Sequence, residues 1–314
     1  MRKPDAALAR QITWRESKQS YFTMHLLVDR DLVEDSYRAY AYFRWVDDVV
    51  DETLTSSEER IAFIRAQRVL IEGLYEGRRP EGLRMEEVMI AELIRNDRSP
   101  RSGLRSYIEN FLAIIEFDAE RKGQRITGAE LRSYADRLAL AVTDAIQYFI
   151  KNGHRYPEDE RRIAGARAAH ITHMLRDMRK DLLAGYSNIS SEYLEERGIR
   201  PEDVDSPAFL DWVRARVEMA REDFRQGKLY IDGLDVLRTK IAARWYYARF
   251  EHVLDTIEED GYHLRFDYAE KHRVLVYLRM VGIAARVALR HAMSRMDRAV
   301  RPPMTRSAYA RQGP

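Results

Sequence analysis

The chain has 314 residues, no cysteine, and 53 lysines and arginines against 51 aspartates and glutamates, a formal net charge of +2. The missing thiols exclude disulfide scaffolds, iron–sulfur clusters, thiolate zinc sites and cysteine nucleophiles, and the charge balance argues against a dedicated nucleic-acid binder. With 45% apolar residues but only 15 glycines and 9 prolines, the composition predicts a well-packed, mostly helical chain; no apolar run approaches the roughly 18 residues of a membrane span and the start carries no apolar signal core, so a cytoplasmic protein is expected.

Helical periodicity dominates along the chain. Stretches free of glycine and proline run over 31–64, 104–122, 129–151, 208–226 and 237–259, and two more, 159–184 and 267–300, are each broken once, by Gly165 and Gly282. Turn chemistry separates them at Arg95-Asn-Asp-Arg-Ser-Pro100, Lys151-Asn-Gly-His-Arg-Tyr-Pro157, Gly198-Ile-Arg-Pro201 and Asp205-Ser-Pro207. Thr127 is placed to cap a helix starting near Gly128, with Glu130 completing a capping box. No stretch alternates as a strand does and no long linker divides the chain. The expectation is one all-helical domain over 1–300, followed by a loose surface tail over 301–314.

Two segments concentrate the chemistry, Tyr40-Ala-Tyr-Phe-Arg-Trp-Val-Asp-Asp-Val-Val-Asp-Glu52 and His170-Ile-Thr-His-Met-Leu-Arg-Asp-Met-Arg-Lys-Asp181. Each holds an Asp-x-x-x-Asp pair, Asp47 with Asp51 and Asp177 with Asp181, which a helix places on one face. Two such carboxylates repel unless a cation lies between them, and hard oxygen ligands of this kind suit Mg²⁺. Spacing alone says little: with 24 aspartates, chance gives about two such pairs, Asp31 with Asp35 is a third, and a charged pair on a helix is usually a solvated face. Context separates them. Asp31 and Asp35 sit among Arg30, Glu34 and Arg38, as a solvated turn would. Asp47 and Asp51 continue a stripe through Tyr40, Phe43 and Arg44 in an aromatic and β-branched segment. Asp177 and Asp181 continue one through His170 and His173, after the small-residue run Ala164-Gly-Ala-Arg-Ala-Ala169. A polar stripe within buriable surface lines a cavity, because buried charges need partners. Arg44 and Arg176, beside the two pairs, are suited to phosphate oxygens.

With these motifs the chain resembles the squalene/phytoene synthase family, the head-to-head trans-prenyltransferases. Ser17-Lys-Gln-Ser-Tyr-Phe22 is similar to the family's opening element. Tyr40, Arg44, Asp47, Asp48 and Asp51 match its first aspartate-rich motif, and Arg176, Asp177 and Asp181 its second. Weaker similarity continues through Phe117-Asp118, Tyr134, Ala139, Val142, Gly185 and Ile257-Glu-Glu-Asp-Gly-Tyr262, so the resemblance covers roughly residues 17 to 265. It implies an all-α isoprenoid synthase fold with a central cavity. It further implies Mg²⁺ held by Asp47, Asp48, Asp51, Asp177 and Asp181, with Asp48 acting through outer contacts. Ser20, Tyr21, Arg44, Arg176, His173 and Val142 are the implied substrate-binding positions, and Tyr40 and Tyr134 line the pocket near the reacting carbons. The implied reaction joins two farnesyl or geranylgeranyl diphosphates into a squalene- or phytoene-type product or its cyclopropyl diphosphate intermediate. The resemblance leaves a role for NADPH open, and lipid products make peripheral membrane association an expectation to test.

The departures bear on the later steps. His173 stands where the second motif usually has Asn, His170 where Gln is common, and Thr143 replaces a glycine. The run Gly185-Tyr-Ser-Asn-Ile-Ser190 stands where the family often reads Gly-Arg-x-Tyr-Leu-Pro, placing Asn188 in an unusual context. Phe250 falls where a pocket Tyr is frequent, with Tyr246 and Tyr247 one turn earlier. Three alternatives remain at this level. One is ionisation of a single prenyl diphosphate, as in class I terpene cyclases. Another is a non-catalytic scaffold derived from the family. The third is a transition-metal site on His170-x-x-His173, disfavoured because the first motif offers no histidine.

Overall fold

The computed structural model describes residues 4–97, 102–151, 153–268 and 273–300. The turn expected at 95–100 falls partly, and the tail at 301–314 wholly, outside the described residues. The chain divides into two compact units, Met1–Ala269 and Glu270–Pro314; the sequence expectation runs one domain on to residue 300, past that boundary. Eleven α-helices belong to the first unit: α1 Pro4–Glu16, α2 Lys18–Leu27, α3 Val33–Asp48, α4 Ser57–Tyr75, α5 Met85–Asn96, α6 Gly103–Arg121, α7 Gly128–Phe149, α8 Ala164–Leu183, α9 Ser191–Arg197, α10 Pro207–Gly233 and α11 Leu237–Glu259. The described residues of the second unit form the helix α12, Arg273–Val300. Among the described residues there is no strand, only one isolated parallel bridge between Ile126 and Ser190.

The helix ends follow local chemistry. Thr127 and Glu130 form the expected capping box at the start of α7, and Ser56 with Glu59 forms another at α4. Both satisfy backbone N–H groups that a helix start leaves orphaned. The turn signal Asp205-Ser-Pro207 is itself a helix start, with Ser206 as N-cap of α10 and Pro207 in its first turn. The glycine- and proline-free stretch 31–64 is not one helix. It breaks at a π-turn over Val49–Thr53, where the Leu54 amide reaches back to the Val49 carbonyl at 3.1 Å.

α8 is the central helix, packed on α7, α10 and α11, while α6 lies along α7 and α3 packs on α1 and α5. The small-residue run at the start of α8 permits this closeness. A Cβ added at Gly165 would stand 2.2 Å from the Tyr247 hydroxyl, and one at Gly227 of α10 would stand 2.6 Å from the Gly165 Cα. Asp35 corrects a sequence expectation. Far from lying in a solvated turn, it is 2% exposed, accepts from Arg38 at 2.7 Å and Asn96 at 3.0 Å, while Arg38 also donates to Asp5 at 2.6 Å. This buried cluster ties α1, α3 and α5 together. Asp31 is exposed.

Candidate functional site

The site forms where three helices end. Phe43 of α3 packs on Tyr107 and Phe111 of α6, with ring centroids 5.2 and 4.5 Å apart. About two turns further along each helix, Asp51 comes into electrostatic range of Asp118. The π-turn aims Asp51, since a wider turn redirects side chains and such turns recur at functional sites. The ends of α6 and α8 are sewn together. The Gly123 amide donates to the Gly185 carbonyl at 2.8 Å, and Arg121 donates to the Ser187 carbonyl at 3.2 Å. Both glycines sit at positive φ, 75° and 91°, which side chains resist. This seam sets Asp118 on α6 within electrostatic range of Asp181 on α8.

Charge at this junction is only partly compensated, by arginines and a lysine that act from a distance. Burial, reinforced by the neighbouring Asp51, pushes the Asp47 carboxyl up to about 6. Burial and then Asp177 push Asp181 up to about 6 as well; its bond from the Asn188 amide, at 3.1 Å, brings no charge. Asp51 is raised by burial and by Asp118. Among the described residues none of these three carboxylates forms an ion pair with arginine or lysine. Asp177 differs. Burial opposes its ionisation, yet His173 at 2.8 Å and a two-pronged Arg176 at 2.6 and 2.9 Å hold it well below the usual carboxylate range. Asp118 is raised by burial against the pull of Arg121 and of the Tyr134 hydroxyl, each 2.7 Å away.

The remaining expected residues lie as follows. Arg44 pairs with Asp48, and its buried Nε has no partner. Tyr40 is half-buried on α3, with Ser17, Arg44 and Arg249 around its hydroxyl. Ser20 donates its amide to Ser17, the N-cap of α2, at 3.2 Å. Tyr21 is core: it packs with Tyr37, Ala9, Ala41 and Met89, and Arg10 occupies its hydroxyl. Val142 is half-buried on α7 beside the buried Thr143. Tyr134 stands edge-on to His170 at 4.7 Å, with the Arg121 guanidinium 5.1 Å from its ring. His170 is buried, neither ring nitrogen has a partner, and burial pushes its pKa down to about 3. His173 meets Phe250 of α11 edge-on at 6.3 Å.

Sequence reasoning missed Asp118, Arg121 and Asn188 as parts of this junction. Asp118 stood only within the weak Phe117-Asp118 similarity and Arg121 carried no signal; the seam to residues 185–188 brings both to the site.

The donor set suits a hard divalent cation. Three carboxylates with no direct ion pair, two of them pushed up by burial and then by a neighbouring aspartate, are relieved by one positive ion. No three His, Asp or Glu side chains among the described residues converge enough to cage an ion alone. Magnesium needs no such cage, because one or two carboxylates, water and substrate phosphate complete its shell.

Presqualene diphosphate synthase of Zymomonas mobilis is 31% identical over 197 residues, 62% of this chain and 63% of the relative. Presqualene diphosphate synthase of Rhodopseudomonas palustris is 27% identical over 195 residues, 59% of this chain and 62% of that one. The chain thus spans less than two thirds of the length of these relatives. In fold it is similar to a squalene synthase from Alicyclobacillus acidocaldarius, with TM-score 0.65 and 22% identity over 83% of this chain and 95% of that one. A dehydrosqualene synthase gives TM-score 0.66 and 17% identity over 90% and 95%. The sequence model of the squalene/phytoene synthase family matches residues 14–279. The fold is therefore the all-α isoprenoid synthase fold, and the chain belongs to the squalene/phytoene synthase family.

Proposed function

We propose that this protein joins two prenyl diphosphates head to head in a reaction that depends on a divalent cation, magnesium in our reading. One observation carries the proposal: Asp47, Asp51 and Asp181 lie within electrostatic range of Asp118 and form no ion pair with arginine or lysine among the described residues, two of them pushed up to about 6. Asp47 and Asp51 hold cations from one side and Asp181 with Asp177 from the other. A bound cation supplies Lewis-acid stabilisation to the departing diphosphate. Arg44, Arg176 and Ser20 grip diphosphate oxygens, while Tyr21 contributes by packing, since Arg10 occupies its hydroxyl. Asp48 keeps Arg44 aimed. His173 orients the Asp177 carboxylate through their 2.8 Å contact.

In the first substrate the allylic C–O bond breaks, releasing inorganic diphosphate and leaving an allylic cation. The double bond of the second substrate supplies the electron pair for the new C–C bond. Loss of a proton closes a cyclopropane that keeps the second diphosphate. Phe117, Tyr134, Tyr246 and Phe250 offer apolar walls and ring faces that exclude water and tolerate a nearby positive charge. Tyr40 and Val142 line the same pocket in this reading. A reductive continuation needs hydride from NADPH, and the present reading stops at the cyclopropyl diphosphate. The test is incubation of purified protein with farnesyl or geranylgeranyl diphosphate and Mg²⁺, followed by identification of the bonds formed. A product holding two prenyl units is expected. A product of one prenyl unit sinks the head-to-head step, and no diphosphate release with any chain from about ten to twenty carbons sinks the reading as a whole.

A further inference from the structure

α6 has two opposite faces. On one, Tyr107 and Phe111 meet Phe43, and Asp118 comes into range of Asp51. On the other, Glu109, Ala113, Glu116 and Glu120 fall three or four residues apart, the spacing that keeps side chains on one helix face. This second face floors a cavity of about 500 Å³ walled by α4 and α7, which the reaction does not use. Phe117 and Tyr134, with ring centroids 5.4 Å apart, form its partition from the site, where the Tyr134 hydroxyl donates to Asp118 at 2.7 Å. On the α4 wall the Tyr75 hydroxyl is buried and has no hydrogen-bond partner among the described residues. Burial raises its pKa, so it stays neutral. A buried polar group in this state favours a ligand that supplies the missing bond.

Charge says what fills this cavity. Five carboxylates line it, Glu72 of α4, Glu130 of α7 and the three of the α6 row, against the guanidinium groups of Arg68, Arg105 and Arg137. Two of those arginines are committed, Arg105 to Glu109 at 2.7 Å and Arg68 to Glu116 at 2.6 Å. Glu72 and Glu120 form no ion pair among the described residues. The excess negative charge is spread out: the α6 row alone runs about 16 Å at 1.5 Å per residue, and no three acidic or histidine side chains among the described residues converge to cage a metal ion. A single metal ion or ammonium group would neutralise one end of the row only. A flexible chain of several ammonium groups joined by methylene stems matches its whole length. The ammonium groups meet carboxylates and the Tyr75 oxygen, while the stems lie on Ala113, Phe117 and the Tyr75 ring. An anionic occupant is disfavoured, because the carboxylates outnumber the arginines and only Arg137 is uncommitted.

We propose that the cavity between α4, α6 and α7 binds linear polyamines. The proposal is independent of the prenyl reaction, because its readout is binding rather than turnover. The full chain is titrated calorimetrically with 1,4-diaminobutane, spermidine and spermine. Affinity is expected to rise with the number of ammonium groups and to fall with salt as screening grows. The double substitution Glu72→Gln with Glu120→Gln should weaken spermine binding roughly tenfold, at about threefold per exposed carboxylate. The substitution Ala113→Lys, which sets an ammonium group on the cavity floor, should abolish it. Helix content by circular dichroism and diphosphate release should be unchanged in both variants. Asp47→Asn, at the separate carboxylate junction, should leave spermine binding intact. Loss of binding in Asp47→Asn with retention in Ala113→Lys would move the polyamine to that junction and overturn the proposal. So would absent spermine binding, equal affinity for the diamine and spermine, or binding indifferent to the cavity variants. Binding of inorganic phosphate that Arg137→Gln removes would make the cavity an anion site instead.

Discussion

Asp47 and Asp181 oppose folding in the metal-free protein. Each has a folded pKa near 6, above an unfolded value near 3.9. The fold therefore prefers the protonated form, and the stability this gives is full below about pH 4 and lost as pH rises through 6. The shift corresponds to at most about 3 kcal/mol per group, less after screening by water at half-buried sites. In chelator, Asp47→Asn should thus raise the melting temperature near pH 7.5, leave it unchanged at about pH 3, and abolish diphosphate release. Thermal melts at the two pH values decide it: an equal gain at both means that the charge carries no cost. Asp118 adds its field to both Asp51 and Asp181. Asp118→Asn should lower the pH at which Asp181 titrates, as followed by carboxyl NMR, and a fixed titration point would break the link between α6 and α8. These effects were only half legible in sequence. Asp47 and Asp51 announce themselves by their aromatic context, whereas Asp118, weakly matched as Phe117-Asp118, and Arg121 show no part in the site until the Gly123–Gly185 seam brings two distant chain segments together.

At the scale of elements, two contacts hold the site helices in place. Tyr247 of α11 lies over Gly165 of α8, where an added Cβ would fall 2.1 Å from its ring. The hydroxyl end cannot yield without lifting α11, so Gly165→Ala should cost about 1–3 kcal/mol by overpacking. Urea unfolding measures it, and a neutral result would mean that α8 and α11 can slide apart freely. The Asp5–Arg38–Asp35–Asn96 cluster holds α1 and α5 to α3. Arg38→Met leaves two buried carboxylates without their cation and should cost about 3–5 kcal/mol. A loss confined to a few tenths would show that water takes the place of the guanidinium. A capping box made the start of α7 readable from Thr127 and Glu130, whereas the one at α4, Ser56 with Glu59, came to light only in the structure. The π-turn after α3 was not readable, because nothing in Val49-Val-Asp-Glu-Thr53 breaks a helix by propensity; the widening is a tertiary choice.

For the molecule as a whole, the site is a place where an anion and cations must arrive together. Inorganic diphosphate with Mg²⁺ should raise the melting temperature by roughly 5 °C at a hundredfold excess over the dissociation constant, about 2.7 kcal/mol of linkage. Either component alone should do much less. A similar shift from diphosphate alone would assign the binding to Arg44 and Arg176 rather than to the carboxylates.

Composition and periodicity by themselves determined that the chain is helical, because core burial demands the 3.6-residue pattern everywhere and the sequence has too few glycines and prolines to do otherwise. Two short segments also carried enough local pattern to mark Asp47, Asp51, Asp177 and Asp181 as the candidate site aspartates. What only the tertiary structure decided is which carboxylates are left without a partner. Asp35 and Asp47 look alike in sequence, each with an acidic neighbour four residues away and an arginine three away. Arg38 turns inward to neutralise Asp35, while Arg44 turns to Asp48 and leaves Asp47 bare. Sequence spacing gives the reach of a side chain; which partner it meets depends on helices that lie far apart along the chain.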